Sequence, residues 1–267
     1  VLKQRVLTAL VLAPLALAAV FLLPQAAFEI VLAVVFLYGS WEWGNLCRLS
    51  LFSRFVYLAL HAVVLTVVAF VPGSQSVAIV LALLFWSVAL LLVKGYPATA
   101  GYSRVPFRLM MGLLVLVPAW YAISALRAGE NGLTLLLMLL VLVWGADIGA
   151  YVAGKTWGRR KLLPAVSPGK TLEGAAGGLV ACVLTGFGFA VWLELSLIAS
   201  VTLMLLSLLT GMVSVLGDLL ESMLKRERGI KDSGQLLPGH GGVLDRIDSL
   251  TAAAPVFFAG LYFVTGV

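Results

Sequence analysis

The chain has 267 residues, 62% of them hydrophobic and 11% charged, with mean hydropathy +1.09 and a formal net charge of +6. A soluble domain is about 45–50% apolar and about 25% charged, so this composition excludes an ordinary soluble enzyme, a disordered tail and a fibrous repeat. The basic excess follows from membrane topology, which concentrates Lys and Arg in cytoplasmic loops, and nucleic acid is not expected as a partner.

Apolar stretches of roughly 18–22 residues recur along the chain, the length a helix needs to cross a bilayer core. The period-2 alternation of a β-barrel is absent. Hydropathy therefore predicts an all-α, polytopic integral membrane protein with nine spans, near 6–23, 26–46, 52–71, 76–93, 107–126, 133–153, 174–193, 196–224 and 250–266. Lys3 and Arg5 ahead of the first apolar run imitate a secretory signal, but the segment reads as the first span. The eighth stretch is too long for a bilayer core of about 30 Å at about 1.5 Å per residue, so its second half should tilt or project beyond the membrane.

With the N-terminus in the cytoplasm, all of the 18 Lys and Arg residues except Arg127 fall on one face. A miscount of one early span would scramble that alternation, which supports an N-in, C-out topology. The outer connections are short and nearly uncharged, leaving no room for an external domain. Cys47 and Cys182 give no disulfide framework and read as small buried apolar residues.

The charged segments divide the chain. Residues 1–130 carry five spans, and residues 131–267 form a second transmembrane region with two long cytoplasmic loops, 154–173 and 225–249, where catalysis is expected if the chain is an enzyme. Both loops are rich in Gly and Pro and show no helix or strand period; connections of that length are commonly functional. The internal repeat of an inverted-topology transporter is not found.

An acid inside a span costs about 2.5–3.5 kcal/mol on insertion scales, so its position carries information. Glu42, Asp147, Asp218 and Glu221 fall near the cytoplasmic ends of spans two, six and eight. Asp232, Asp245 and Asp248 follow in the last cytoplasmic loop, and only Glu29, Glu130 and Glu194 lie on the outer side. A transporter would place ionisable groups near the midplane; these converge on one interface. On span eight, Ser214, Asp218, Glu221, Ser222 and Lys225 form one polar stripe. An i,i+4 pair with Lys225 accounts for Glu221 as readily as a functional role does. Asp218 sits among Val213, Val215, Leu216, Leu219 and Leu220, where a solvated face is a weaker explanation.

The last loop then offers Lys225, Arg226 and Lys231 for phosphates. Gly241 and Gly242, flanking His240, provide backbone N–H groups for an anion, and Asp245-Arg246-x-Asp248 provides carboxylates for a hard cation such as Mg²⁺. The first loop repeats the theme with Ser167, Lys170 and Thr171 at a basic turn that opens a helix. Gly169-Lys170-Thr171 resembles the end of a Walker A loop, but the upstream glycine and the preceding strand of a soluble P-loop are missing. Gly174, Gly177, Gly178, Gly186 and Gly188 read as close helix packing. His61 reads as a packed polar residue, and His240 has no second His or Cys beside it to make a zinc site.

From Ser222 to Asp248 the pattern Ser-x2-Lys-Arg-x4-Lys-Asp-x-Gly-x2-Leu-Pro-x-His-Gly-Gly-Val-x-Asp-Arg-Ile-Asp resembles the signature of the phosphatidate cytidylyltransferases, the CDP-diacylglycerol synthases. Asp147-Ile148-Gly149-Ala150-Tyr151 and Ser167 to Gly174 also resemble segments of that family. Gly169 departs from a lysine expected in many relatives, while Lys170 is kept. The resemblance implies that CTP and phosphatidate give CDP-diacylglycerol and pyrophosphate, with Mg²⁺ and, as an addition, a monovalent cation such as K⁺. It also implies an all-helical homodimer in a bacterial inner membrane with its site facing the cytoplasm.

On that reading Asp218 and Asp245 hold the metal, with Asp248 and Asp147 as further ligands or orienting groups. Lys225 and Lys231 act on the reacting phosphates, and Arg226, Arg246, Lys170, Ser167, Thr171, Ser222, His240, Gly241 and Gly242 bind substrate. Two alternatives stay open: a CTP-dependent polyprenol or phytol kinase, and a transporter of anionic lipid without chemistry.

Overall fold

The computed structural model describes residues 2–98 and 101–265. Its elements are α1 (Leu2–Leu22), α2 (Gln25–Leu46), α3 (Leu51–Phe70), α4 (Ser74–Gly95), α5 (Val105–Ala128), α6 (Gly132–Trp157), β1 (Lys161–Leu163), β2 (Ser167–Thr171), α7 (Leu172–Trp192), α8 (Leu197–Arg228) and α9 (Leu244–Thr265). Seven of these helices, α2 to α8, are long and apolar enough to cross a membrane. The protein is an all-α polytopic membrane protein, and each expected span overlaps a helix, residue 266 of the ninth lying outside the described residues. By length and composition, however, α1 and α9 fall outside the set of seven among the described residues.

Two expectations about the charged loops are corrected. The segment 154–173 is not irregular: α6 runs on to Trp157, and β1 and β2 form an antiparallel hairpin with Lys161 opposite Thr171 and Leu163 opposite Ser167. Pairing satisfies backbone groups that would otherwise be stranded beside an apolar phase. Val166 is buried at the hairpin turn, with Leu162 and Leu163 half-buried along it. Three strand residues are too few for a legible period.

The segment 225–249 is helical at both of its ends. α8 continues to Arg228 and α9 begins at Leu244, so Lys225, Arg226, Asp245, Arg246 and Asp248 are helix residues, leaving 229–243 as the connection. Hydropathy discards these turns because they are charged, yet cations suit a helix C-terminus and acids an N-terminus. Lys225, Arg226 and Arg228 occupy the last turn of α8, and Asp245 the first turn of α9. Gly229 ends α8 at φ +77°, with its N–H bonded to Arg226 O and that of Ile230 to Lys225 O. This is a Schellman cap that favours glycine.

α5 is the most buried helix and packs against α2, α3, α4, α6 and α9. At Gly112 a side chain would collide with Tyr57 and Trp43. Its absence lets the Trp43 indole and the Tyr57 hydroxyl donate to the carbonyls of Arg108 and Leu109 at 2.8 and 2.7 Å. His61 is a packed polar residue here, edge-on to Tyr57. Gly149, Gly177 and Gly178 bring α6 and α7 into backbone contact and Gly186 abuts Ser207, whereas Gly188 faces open space and packs nothing. Both cysteines are buried and free.

At the end of the bundle away from the charged loops, Arg127 closes the α1–α2 turn. Its guanidinium donates to Val20 O, Leu23 O and Gln25 Oε1 and lies over the Phe28 ring. Gln25 and Ser124 in turn donate to Glu29. One cation thus satisfies carbonyls at the end of α1 and ties α5 to the turn. Arg127→Ala is expected to cost about 1–3 kcal/mol, the cost of leaving such acceptors unsatisfied, seen as a lower Tm in detergent with unchanged turnover per folded molecule.

Candidate active site

The charged ends of α2, α6, α8 and α9 and the hairpin converge. Arg226 Nε donates to Val166 O at 3.2 Å, pinning the hairpin turn to α8. Arg228 Nε donates to Asn45 O at 3.2 Å and Arg48 Nη2 to Glu227 O at 3.3 Å, stitching the end of α2 to the end of α8.

Within this frame the acids and lysines form one chain of contacts. Lys170 on β2 pairs with Asp218 on α8 at 2.5 Å, and Ser222 Oγ donates to the other Asp218 oxygen at 3.1 Å. Asp147 of α6 faces Asp218 in the field of Lys170 and Arg246. One helical turn beyond Asp218, the Glu221 side chain is 3% exposed, with Lys225 Nζ 3.4 Å from Oε1. Lys225 also donates to Asp245 Oδ1 on α9 at 2.6 Å. Asp245 Oδ2 accepts from Ser233 N, Ser233 Oγ and Gly242 N at 2.9, 2.9 and 2.7 Å. Asp248 lies next to Glu221 and in the field of Asp218. Close approach of α9 to α8 is allowed by Gly217, where a side chain would strike the Asp248 carbonyl.

Two open spaces flank this network. A cavity of about 370 Å³ is lined by Asp147, Lys155, Lys170, Thr171 and apolar residues including Tyr151 and Leu162. Sharing Leu162, Ala175 and Val215 with it, an apolar groove of about 350 Å³ runs between the hairpin, α4, α7 and α8, past Lys94 and Met212. The second space, of about 530 Å³, is polar. It is bounded by the 232–241 turn and Arg246. Gly239 and Gly241 shape that turn at φ +77° and +83°, and Leu237 and Gly241 bridge it.

Most of the expected residues meet here. Asp218, Asp245, Asp248, Lys170, Ser222 and Lys225 belong to the network, Asp147 lines the first cavity beside Lys170, and His240, Gly241 and Arg246 line the polar space. The His240 ring buries Nδ1 without a hydrogen-bond partner. Thr171 lines the first cavity, but its hydroxyl caps α7 by accepting from Gly174 N at 3.1 Å. Gly242 is turned inward to Asp245 and Arg226 is partly engaged with the hairpin. Lys231 is exposed on the connection, and Ser167 stands at the far end of β2 opposite Leu163. Sequence reasoning assigned no site role to Glu42 and Ser233, and left Glu221 undecided. The signal for Glu42 was an acid in an apolar span between two tryptophans.

Among the described residues, no group of three or more His, Cys, Asp or Glu side chains is gathered in metal-ligating geometry. Lys170 and Lys225 instead hold Asp218 and Asp245. The chemistry of the donors still fits a hard cation. All are carboxylates, and the buried Glu221 carboxylate, beside Asp248, has only the 3.4 Å ion pair with Lys225 and no hydrogen bond of good geometry. Mg²⁺ takes such oxygens together with substrate phosphates.

A family model described as the cytidylyltransferase family matches residues 3–264. The chain belongs to this family. It is 47% identical to a phosphatidate cytidylyltransferase of Pseudomonas aeruginosa, over 98% of this chain and 97% of that one. A Haemophilus influenzae protein of the same name is 41% identical over 98% and 99% of the two chains. Another from Bacillus subtilis is 39% identical over 60% of this chain and 59% of its own. Membership makes this cytidylyltransferase an enzyme, and its matched region takes in both the N-terminal helices and the charged network.

Proposed function

We infer that this cytidylyltransferase condenses CTP with phosphatidate to give CDP-diacylglycerol and pyrophosphate. The observation that carries the reading is the cluster of lysines and carboxylates at one end of the bundle, with an apolar groove on one side and a polar space on the other. A lipid phosphate is held at a membrane boundary by its acyl chains, whereas a nucleoside triphosphate arrives from water. A site for both must lie where those phases meet. Phosphatidate places its phosphate by Lys170 and an acyl chain along the groove past Leu162 and Met212; CTP enters the polar space beside His240 and Arg246.

A phosphate monoester has a second pKa of about 6, so the attacking oxygen is already ionised near neutrality and no strong base is required. An oxygen of the phosphatidate phosphate forms a bond to the CTP α-phosphorus, and the bond to the β-phosphate oxygen breaks with its electron pair leaving on pyrophosphate. The protein positions the two phosphates in line and neutralises their charge. Lys170 orients the lipid phosphate, and Lys225, Lys231, Arg226 and Arg246 offset the charge of the triphosphate. Asp218 and Asp245, with Asp147 and Asp248 beside them, would hold Mg²⁺, which supplies charge neutralisation at the transferring phosphoryl group. A monovalent cation such as K⁺ would find its oxygens at the same acids. The basic loops face the cytoplasm of a bacterial inner membrane, all nine helices span it with the N-terminus inside, and two copies form a homodimer.

Labelled CTP and phosphatidate, given to purified protein, test the reading. CMP-lipid and pyrophosphate should form in equal amounts, and a chelator should stop both until Mg²⁺ is restored. Release of CDP with a phosphorylated lipid would assign a lipid kinase instead, and lipid movement without product a transporter.

A further inference from the structure

Glu42 belongs to α2, about 200 positions before the residues it touches. It is 2% exposed, and its carboxylate accepts from the backbone N–H groups of Val243 and Leu244 at 3.2 and 2.7 Å and from Ser233 Oγ at 3.1 Å. Leu244 is the first residue of α9 and Val243 immediately precedes it. Glu42 therefore supplies, from another helix, acceptors for the N–H groups of Val243 and Leu244 at the start of α9, adding a second acid to Asp245 of the first turn.

The same serine leads to the reaction centre. Ser233 Oγ lies 2.9 Å from Asp245 Oδ2 as well as 3.1 Å from Glu42 Oε2. A hydroxyl has one proton to donate, so a single O–H stands between two carboxylates and links their positions. Asn45, one helical turn after Glu42, donates to Ser233 O at 3.2 Å and holds the serine from the other side. Gly234 and Gly242 border the carboxylate so closely that a side chain on either would run into it. The turn that bounds the polar space is folded around this acid.

We propose that Glu42 is a positioning residue for the reaction: through Ser233 and the first turn of α9 it fixes the orientation of Asp245 and of the 232–242 turn at the CTP side. An N-terminal helix is thereby part of the catalytic apparatus. The effect should fall on turnover and on the nucleotide, not on the lipid, because among the described residues the hydrogen bonds of the Glu42 side chain all go to Ser233, Val243 and Leu244.

The test uses full-length protein purified in detergent and mixed micelles of phosphatidate. Glu42→Gln keeps the size but presents an amide N–H to donors and removes the charge. Its kcat should fall about 10- to 100-fold, the range seen when a group supporting a ligating carboxylate is lost. The KM for phosphatidate should stay within about twofold, and the KM for CTP should rise. Glu42→Asp, which keeps the charge on a shorter stem, should recover part of kcat. Ser233→Ala cuts only the bridge and leaves the cap on α9, so it remains informative if Glu42→Gln does not fold. It should lower kcat in the same sense, and the double variant should be no worse than the poorer single one, because both act through one link. Three results would overturn the proposal: unchanged kcat in Ser233→Ala, additive losses in the double variant, or a Glu42→Gln protein with a lower Tm but normal kcat per folded molecule.

Discussion

Asp218→Asn is expected to lower kcat by about 100- to 1,000-fold, the scale for removing one electrostatic contact to a reacting group, while the protein folds and binds detergent as before. Asp218 is only part-buried, so its loss leaves no large cavity. The change removes the charge opposing Lys170 at 2.5 Å and the acceptor for Ser222 at 3.1 Å. If Asp218 holds Mg²⁺, the variant should also need more metal to reach its own maximum. Isothermal titration or a Mg²⁺ dependence of initial rates checks this alongside the rate. Turnover within about threefold of the parent at saturating Mg²⁺ would remove Asp218 from the reaction. Asp245→Asn tests the other half of the metal assignment, and because it also loosens Lys225 it should cost stability as well as rate.

Lys225→Met should produce the largest loss of stability, about 3–5 kcal/mol, because breaking a buried ion pair strands the remaining charge. The lysine lies between Glu221 and Asp245, whose side chains are 3% and 5% exposed, and its own side chain is 10% exposed. Methionine fills much the same volume, so the effect is electrostatic and not a cavity. Thermal unfolding followed by intrinsic fluorescence in detergent should show a fall of several degrees, with no measurable product. A second change, Glu221→Gln, should restore part of the Tm by removing one stranded carboxylate, while activity stays lost. A double variant no more stable than Lys225→Met alone would show that Glu221 is not the charge Lys225 offsets.

The membrane class, the existence and order of the helices and the grouping of charge at one end were legible in the sequence, while the charged ends of α6, α8 and α9 were not. They follow from local quantities: an apolar run must be as long as the bilayer is thick, and each charge is costly away from an interface. The order of residues from Ser222 to Asp248 also carried the family. The structure of the two charged segments was not legible, because hydropathy treats a charged helical turn as a loop and the hairpin is too short to show a period. Asp245 and Asp248 were legible as acids of the last charged segment, but as loop residues they gave no hint of what orients them.

Pairing was decided only in three dimensions. Sequence spacing suggested Glu221 with Lys225 on one helix, but the shorter contact of Lys225 is with Asp245 on α9. Lys170 finds Asp218 across a hairpin whose existence no periodicity announced. Glu42 read as one acid near the end of an early span, and its partners Ser233, Val243 and Leu244 are distant in sequence. The composition, 62% hydrophobic against 11% charged, fixes that the few charges must collect at an interface. Which of them face one another depends on how α2, α8, α9 and the hairpin meet, since Coulomb and hydrogen-bond energies depend on distances of a few ångströms that only packing sets.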